Sequence, residues 1–224
     1  MRRLWLGVAA AVLAAPLPAA AGTDAKPKSI VGVLHTGASG RISGSAQFFS
    51  YGVVLRNRST TKDAFGVKVR VFVLGDAGLV GVYLATIPFI PARTTFYLGN
   101  EPASMSSVQR ATGVRAVIAV GGTAKASGSL PDASASAPRA GRIHGTVRNH
   151  YKRGIVTRGT KLYAVYYDSA GRVIGGDRLK GVKFSVTTIA SKKAASFTAR
   201  IGPALSAGRI ARVAVSVTPV LAKS

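Results

Sequence analysis

The sequence predicts an all-β protein built from two tandem antiparallel β-sandwiches. Three features support this: short β-branched segments with period-two alternation, almost no stretch with a helical period, and two halves that resemble each other. The clearest alternation is GVKVRVFVL at residues 66–74, and a similar one is RVAVSV at residues 212–217. Such alternation places one set of side chains on a buried face and the other towards solvent.

The first 21 residues have the features of a signal peptide. Two arginines at positions 2 and 3 precede an uncharged run of 12 residues, Leu4 to Ala15, and Ala-Ala-Ala follows at 19–21. The run is shorter than the roughly 20 residues that cross a bilayer, and its ending suits signal peptidase. We therefore expect residues 1–21 to be cleaved and the protein to be secreted or periplasmic, not transmembrane. The paired arginines leave a twin-arginine export route open.

Four segments recur in the same order in the two halves. GVVLRN ends at Asn57 and GTVRN ends at Asn149, while FVLGDAG contains Asp76 and AVYYDSAG contains Asp168. Both Asn-to-Asp separations are 19 residues. IPARTTFYLG then corresponds to IASKKAASFTARIG, and VRAVIAV corresponds to ARVAVSV. A tandem repeat of one unit follows from this order.

The repeat sets the expected domain boundaries. One sandwich should span residues 28–124 and the other residues 141–220, and both lengths are normal for a small sandwich. Residues 125–140, KASGSLPDASASAPRA, are rich in Ser, Ala and Pro and are expected to be a linker with little burial. Asp76 and Asp168 precede glycines closely, which indicates turns where Asp bonds its own backbone and Gly tolerates a positive φ.

The two halves also resemble a known domain family. The pattern G-x-x-x-N, followed by a strand ending F-x-L-Y-D-x-x-G, is similar to the bacterial extracytoplasmic FxLYD domain. Residues 72–76, FVLGD, have Gly in place of Tyr, and residues 164–168, AVYYD, have Ala and Tyr in place of Phe and Leu. The resemblance covers most of residues 44–220. It implies two tandem immunoglobulin-like β-sandwiches and carries over no catalytic residue.

The composition excludes several kinds of chemistry. Without Cys, the chain has no disulfide, no Cys-ligated metal centre and no Cys nucleophile. Glu101 is the single glutamate and the six aspartates are scattered, so a glycosidase-type carboxylate pair is not expected. His144 and His150 would lie about 20 Å apart on one extended segment, too far to share a metal. We expect no enzyme activity, cofactor or metal. An exported hydrolase with a hidden Ser-His-Asp triad is the alternative that composition leaves open.

The distribution of charge is the strongest functional signal. Residues 28–124 contain 10 basic and 3 acidic side chains, whereas residues 141–224 contain 16 basic and 2 acidic ones. If each segment crosses the sandwich once, the loop after GTVRN and the loop at 191–193 lie at the same end; a second turn at 177–181 would break this inference. The resulting anion-binding candidates are Arg148, Tyr151, Lys152, Arg153, Arg158, Lys192 and Lys193.

Two functions of different classes follow. The first is a secreted, non-catalytic, cell-envelope-associated module that binds an anionic polymer or lipid surface through the basic second domain. Teichoic acid, lipopolysaccharide, lipid headgroups and nucleic acid all share that chemistry. The second is a structural or assembly protein that pairs with another secreted protein through its sheet edges. The cations also fit an ordinary solvated surface, because outward charges keep strand edges from pairing.

Overall fold

The computed structural model describes residues 29–43, 46–76, 78–100, 103–106 and 111–223. The predicted signal peptide, residues 1–21, lies outside the described residues. Within those ranges, no helix has both the length and the apolar character needed to cross a bilayer.

Nearly all regular structure in the described residues is strand. In chain order the elements are β1 (Val31–Ser43), β2 (Ala46–Asn57), β3 (Lys62–Gly75), β4 (Gly78–Ile90), β5 (Thr95–Gly99), β6 (Ala103–Ser106), β7 (Ala111–Ala119), β8 (Gly122–Lys125), β9 (Asp132–Ala135), β10 (Arg142–Arg148), β11 (Ile155–Tyr167), β12 (Val173–Arg178), β13 (Lys180–Phe184), β14 (Thr188–Ile189), β15 (Ala194–Arg200), a 3-10 turn (Ala207–Arg209) and β16 (Arg212–Leu221).

These strands form antiparallel sheets of four strands each. The outer N sheet has the order β4-β3-β7 with β8 also on β3, and the inner N sheet has the order β1-β2-β5 with β6 also on β2. The inner C sheet has the order β12-β11-β14 with β16 also on β11, and the outer C sheet has the order β13-β15-β10-β9. The structure confirms the predicted all-β fold of antiparallel sandwiches.

Each outer sheet packs on its inner partner around a separate core. In the N-terminal unit, the valines at positions 67, 69, 71 and 73 of β3 are fully buried against Phe49, Leu55 and Phe96. In the C-terminal unit, Leu162 and Tyr166 of β11 are buried with other apolar side chains from both of its sheets. The apolar residues that alternate in the sequence therefore point into a core, and the residues between them point to the opposite face of the strand.

Buried Asn57 closes one end of the N-terminal unit. Its Nδ2 donates to the carbonyl oxygens of Lys62 and Ile90, at 2.9 and 3.0 Å, and its Oδ1 accepts from the Ser59 N–H at 3.0 Å. A buried amide with all of these partners stabilises the loop between β2 and β3. Asn149, its counterpart in the repeat, makes the same kind of contacts in the C-terminal unit.

The segment expected to be a linker is bound to both units. The N–H groups of Ser127 and Gly128 each donate to Asp63 Oδ2 at 3.0 Å. Residues 132–135 form β9, an edge strand of the outer C sheet paired with β10. Most of residues 125–140 are exposed, as the composition predicted, while the N–H groups of Ser127 and Gly128 find an acceptor in the buried Asp63 carboxylate of the N-terminal unit.

The two inner sheets pack face to face through glycines. A Cβ at Gly52 would overlap the carbonyl of Gly175, and a Cβ at Gly99 would overlap the backbone of Asp177. The backbones therefore approach more closely than the ordinary spacing of about 10 Å between packed sheets. Beside the glycines, Val54, Val165 and Tyr167 form a small apolar cluster.

Hydrogen bonds also cross this contact. Ser50 Oγ donates to the Gly176 carbonyl at 2.8 Å and accepts from the Gly176 N–H at 3.0 Å. The Tyr97 N–H donates to Ser216 Oγ at 2.9 Å, and the Arg178 N–H donates to the Asn100 carbonyl at 2.6 Å.

The sheets therefore form a stack of four layers in the order outer N, inner N, inner C and outer C, with the two outer faces on opposite sides.

Gly52→Ala should lower the free energy of unfolding by about 1–3 kcal/mol, because the new Cβ is forced against the Gly175 carbonyl. Gly113→Ala is the matched control, since this strand glycine has nothing within 4 Å of a new Cβ. The control should be neutral or stabilising by about 0.5 kcal/mol. Guanidinium denaturation of the two variants measures the difference, and equal midpoints would contradict the close packing of the inner sheets.

Candidate anion-binding surface

The buried residue Asn149 connects the loop at residues 150–154 to the loop at residues 190–193. Its Nδ2 donates to the carbonyls of Arg153 and Ile189 at 2.8 and 2.9 Å, and its Oδ1 accepts from the Tyr151 N–H at 2.8 Å. Its own N–H donates to the Lys193 carbonyl at 2.9 Å. The structure thereby brings to one end of the C-terminal unit a group that we call the rim: Arg148, Tyr151, Lys152, Arg153, Lys192 and Lys193.

The loops of the rim meet as the predicted crossing pattern requires. β12, β13 and β14 run in the same direction, so residues 173–189 cross the sandwich once and the chain does not reverse at residues 177–181. Within this crossing the chain moves from the inner C sheet to β13 of the outer C sheet and returns as β14, whose residues Thr188 and Ile189 pair with Val156 and Ile155. The loop after Arg148 and the loop before Ala194 therefore lie at the same end of the C-terminal unit.

Several rim side chains already have partners. Lys192 Nζ donates to the His150 carbonyl at 2.6 Å, and the Arg153 guanidinium donates to a carbonyl of the C-terminal segment. The Tyr151 hydroxyl donates to the Ser129 carbonyl at 2.8 Å, and burial raises the pKa of Tyr151. Tyr151 therefore anchors its loop to the segment between the units.

Arg158 lies apart from the rim. It is on β11 at an irregularity between Val156 and Lys161, where the register of β11 with β16 shifts. Together with Lys161, Arg178 and Lys180 it lines a depression of about 530 Å³. The residues predicted as one anion-binding group therefore divide between the rim and this second basic site.

A further basic group, which the sequence reasoning missed, crosses the outer face of the outer C sheet. Strand register places Arg142 on β10 opposite Arg200 on β15, and Arg200 opposite Lys180 on β13. Arg139 pairs with Arg142 on the other side through an isolated bridge. We call these four residues, Arg139, Arg142, Arg200 and Lys180, the cation row.

The cation row is an electrostatically unfavourable arrangement in the free protein. Adjacent strands lie about 4.8 Å apart, and like charges directly opposite each other destabilise a sheet. The side chains of Arg142 and Arg200 both face solvent. A bound anion would remove this repulsion. The alternation of RIHGTVR could reveal the exposed face of β10, but not which distant strand pairs with it.

Carboxylates do little to neutralise this unit. Over the described residues 141–223 the acidic side chains are Asp168 and Asp177. Asp177 is only 2% exposed, and Asp168 forms an ion pair with Arg172 at 2.8 Å. Asp132, on β9, bonds His150 Nε2 through its Oδ2 at 2.6 Å, near the rim end of the sheet. The Asp177 carboxylate also interacts electrostatically with Lys180 of the cation row.

Asp168 has the turn role that the sequence predicted. Its Oδ1 accepts from the N–H groups of Ala170 and Arg172, at 3.0 and 2.9 Å, and its carbonyl accepts from the Gly171 N–H. The hydrogen bond from the Arg172 backbone, together with the Arg172 side chain, lowers the pKa of Asp168. Gly171 has the positive φ, 76°, that the turn requires.

Asp177 is buried where the two units meet. Its Oδ2 accepts from the Gly202 N–H at 2.7 Å and from the Tyr166 hydroxyl at 3.0 Å, whereas its Oδ1 has no hydrogen-bond partner. Burial raises the pKa of Asp177. Raised carboxylate pKa values are common at catalytic sites, but this carboxylate is buried, and its Oδ2 accepts hydrogen bonds from β11 and from the loop after β15.

The raised pKa of Asp177 predicts a pH dependence. Because the folded pKa exceeds the unfolded value, the folded state binds more protons and its stability falls as pH rises from about 4 through the folded pKa. Asp177→Asn removes this contribution, so the stability of the variant relative to the parent should improve with rising pH. Chemical denaturation between about pH 4 and 8 measures it. Asp76→Asn, at an exposed turn, is the control, and a pH-independent difference for Asp177→Asn would contradict the buried charge.

Comparison with known proteins finds few similarities. No protein-family model matches the chain, and no curated protein matches it. A red sea bream transglutaminase structure is similar over 86% of this chain and 29% of that chain, with 9% identity and a TM-score of 0.27. The collagen adhesin (CNA) from S. aureus is similar over 84% of this chain and 79% of that chain, with 11% identity and a TM-score of 0.14. The chain thus spans less than a third of the transglutaminase, and these TM-scores support no inference about function.

Proposed function

We propose that this chain is an exported, non-catalytic protein of the bacterial cell envelope that binds linear phosphate-bearing polymers through its C-terminal unit. The export signal and the resemblance to tandem FxLYD domains in the sequence support the location. The observation that carries the binding role is the cation row, in which strand pairing places three arginines and a lysine next to one another on the outer C sheet.

The chemistry of the row favours phosphate. Three of its four members are arginines, whose planar guanidinium groups bind phosphate oxygens in a bidentate way. A polymer that crosses the strands meets a cation about every 4.8 Å, well within the screening length of about 8 Å at physiological salt. Each phosphate therefore interacts with more than one cation, which favours a polymer over a single small anion.

The rim has a supporting role in this proposal. Arg148 lies on the same face of β10 as Arg142, six residues or about 20 Å further along the strand. Asp132 lies opposite Arg148 in the strand register and reduces the local positive charge. A polymer held by the cation row can continue towards the rim.

The outer C sheet offers phosphate contacts without stacking platforms. The outward positions of β10 and β15 carry Arg, His, Thr, Ser and Ala, and no aromatic residue. Single-stranded nucleic acids are bound largely by stacking of bases on aromatic rings. Two tyrosines of β11 are occupied elsewhere, since Tyr166 is buried and the ring of Tyr167 is covered by Arg212 at 3.7 Å. These features favour a polymer of phosphates without bases.

The double variant Arg142→Gln/Arg200→Gln should bind labelled inorganic polyphosphate at least about tenfold more weakly, with a salt dependence reduced by about one to two released counterions. Fluorescence polarisation across a salt series measures both quantities. The double variant Arg56→Gln/Lys125→Gln removes the same charge from exposed positions of the N-terminal unit and is the matched control.

The control variant should retain the parent's affinity within about twofold, and the cation-row variant should be as stable as the parent or more so, because it loses like-charge repulsion. Equal weakening of the two variants would show attraction by net charge alone. That result would contradict a binding site on the outer C sheet.

A second function is favoured by the edge of the outer N sheet. Strand β4 is 13 residues long and pairs with β3 on one side, and no strand among the described residues pairs with its other side. A long unpaired edge is a template for strand addition by another protein. In this case the chain would be an assembly protein.

Retention on a lipid-extracted cell-envelope preparation separates the two functions. Capture by the cation row should be lost at about 0.5 M salt, where exposed charges are strongly screened. It should also be lost at low salt when Arg142→Gln/Arg200→Gln is combined with Gln at Lys152, Arg153, Lys192 and Lys193. Retention that survives both changes would support strand addition and contradict polymer binding.

A further inference from the structure

The outer N sheet exposes a set of large apolar side chains on the side of the molecule opposite the cation row. Leu84 is 76% exposed, Leu79 is 60% exposed, and Val82 and Val117 are each 47% exposed. Single exposed apolar residues are ordinary, but a contiguous patch of them marks an interaction surface. Whether they form a patch depends on the strand register.

The register joins these side chains into one surface. Leu79 lies opposite Leu74 and Val82 opposite Phe72, while Leu84 and Val117 lie on either side of Arg70. Directly opposed residues on one face have Cβ atoms about 5 Å apart, so their side chains touch or nearly touch. We call this surface the apolar face: Leu74, Leu79, Val82, Leu84, Val117 and the half-buried Phe72.

Cations are interspersed with the apolar face. Arg70 lies between Leu84 and Val117, Arg115 lies opposite Phe72, and Lys68 lies opposite Thr86. The outward positions of β3, β4 and β7 within the described residues carry no Asp or Glu. The surface thus combines apolar side chains with positive charge, and exposed Asp76 lies at one end of it, in the turn between β3 and β4.

We infer that the apolar face docks on an anionic lipid bilayer. Its leucines and valines would enter the headgroup region, while Arg70, Arg115 and Lys68 would contact lipid phosphates, as in other interfacial membrane contacts. A second copy of the chain fits poorly, because two such faces would bring the same cations together without a counter-charge. This inference goes beyond the proposed function, which concerns the opposite side of the four-layer stack.

Vesicle sedimentation tests this contact. The protein should sediment with vesicles of phosphatidylcholine containing about one-third phosphatidylglycerol, and much less with phosphatidylcholine alone, because anionic headgroups attract the cations. Val82→Gln/Leu84→Gln should weaken this binding at least about tenfold by removing apolar burial. Val186→Gln/Val220→Gln changes two exposed valines of the C-terminal unit, 43% and 42% exposed, and should bind like the parent.

Three outcomes would overturn the inference. One is unchanged vesicle binding by Val82→Gln/Leu84→Gln; another is loss of vesicle binding in Arg142→Gln/Arg200→Gln, which would assign the lipid contact to the cation row. The third is self-association that depends on Leu84 without vesicle binding. Polyphosphate affinity should be the same in Val82→Gln/Leu84→Gln as in the parent, so the two proposals fail or succeed separately.

Discussion

The close contact between the two inner sheets is the constraint on which the shape of the molecule depends. Gly52, Gly99 and Gly175 leave no room for a Cβ, and Ser50 bonds both peptide groups of Gly176 across the contact. The inner sheets are therefore covered on both faces by other sheets. Broad solvent-facing sheet surface is left on the outer N and outer C sheets, so recognition by the sheets depends on those two faces.

The two outer faces differ in chemistry. One combines a row of cations with small polar side chains, and the other combines cations with exposed leucines and valines. The thickness of the four-layer stack separates the two faces. Under the two proposals, the protein would hold a phosphate polymer on one side and a lipid surface on the other, with no moving part between them.

Local pattern in the sequence predicts the strands, while the sites depend on pairing between distant strands. Alternation in β3 and the repeated Asn57 and Asn149 are visible in the sequence because each is a local requirement of one strand or loop. The cation row is not visible in the sequence, since Arg142 and Arg200 become neighbours only through the register of β10 with β15. The sequence prediction grouped Arg158 with the rim because the bulge in β11 that separates Arg158 from the rim depends on pairing with β16 and is not visible in the local pattern.

The most direct measurement is mapping of amide chemical shifts by NMR during titration with inorganic polyphosphate at low salt. A phosphate-binding surface on the outer C sheet predicts that shifts change first in β10, β13 and β15 around Arg142, Arg200 and Lys180, with smaller changes at the rim. It predicts no early change on β3 or β4. Shift changes spread evenly over both units, or concentrated on the outer N sheet, would contradict a phosphate-binding surface on the outer C sheet.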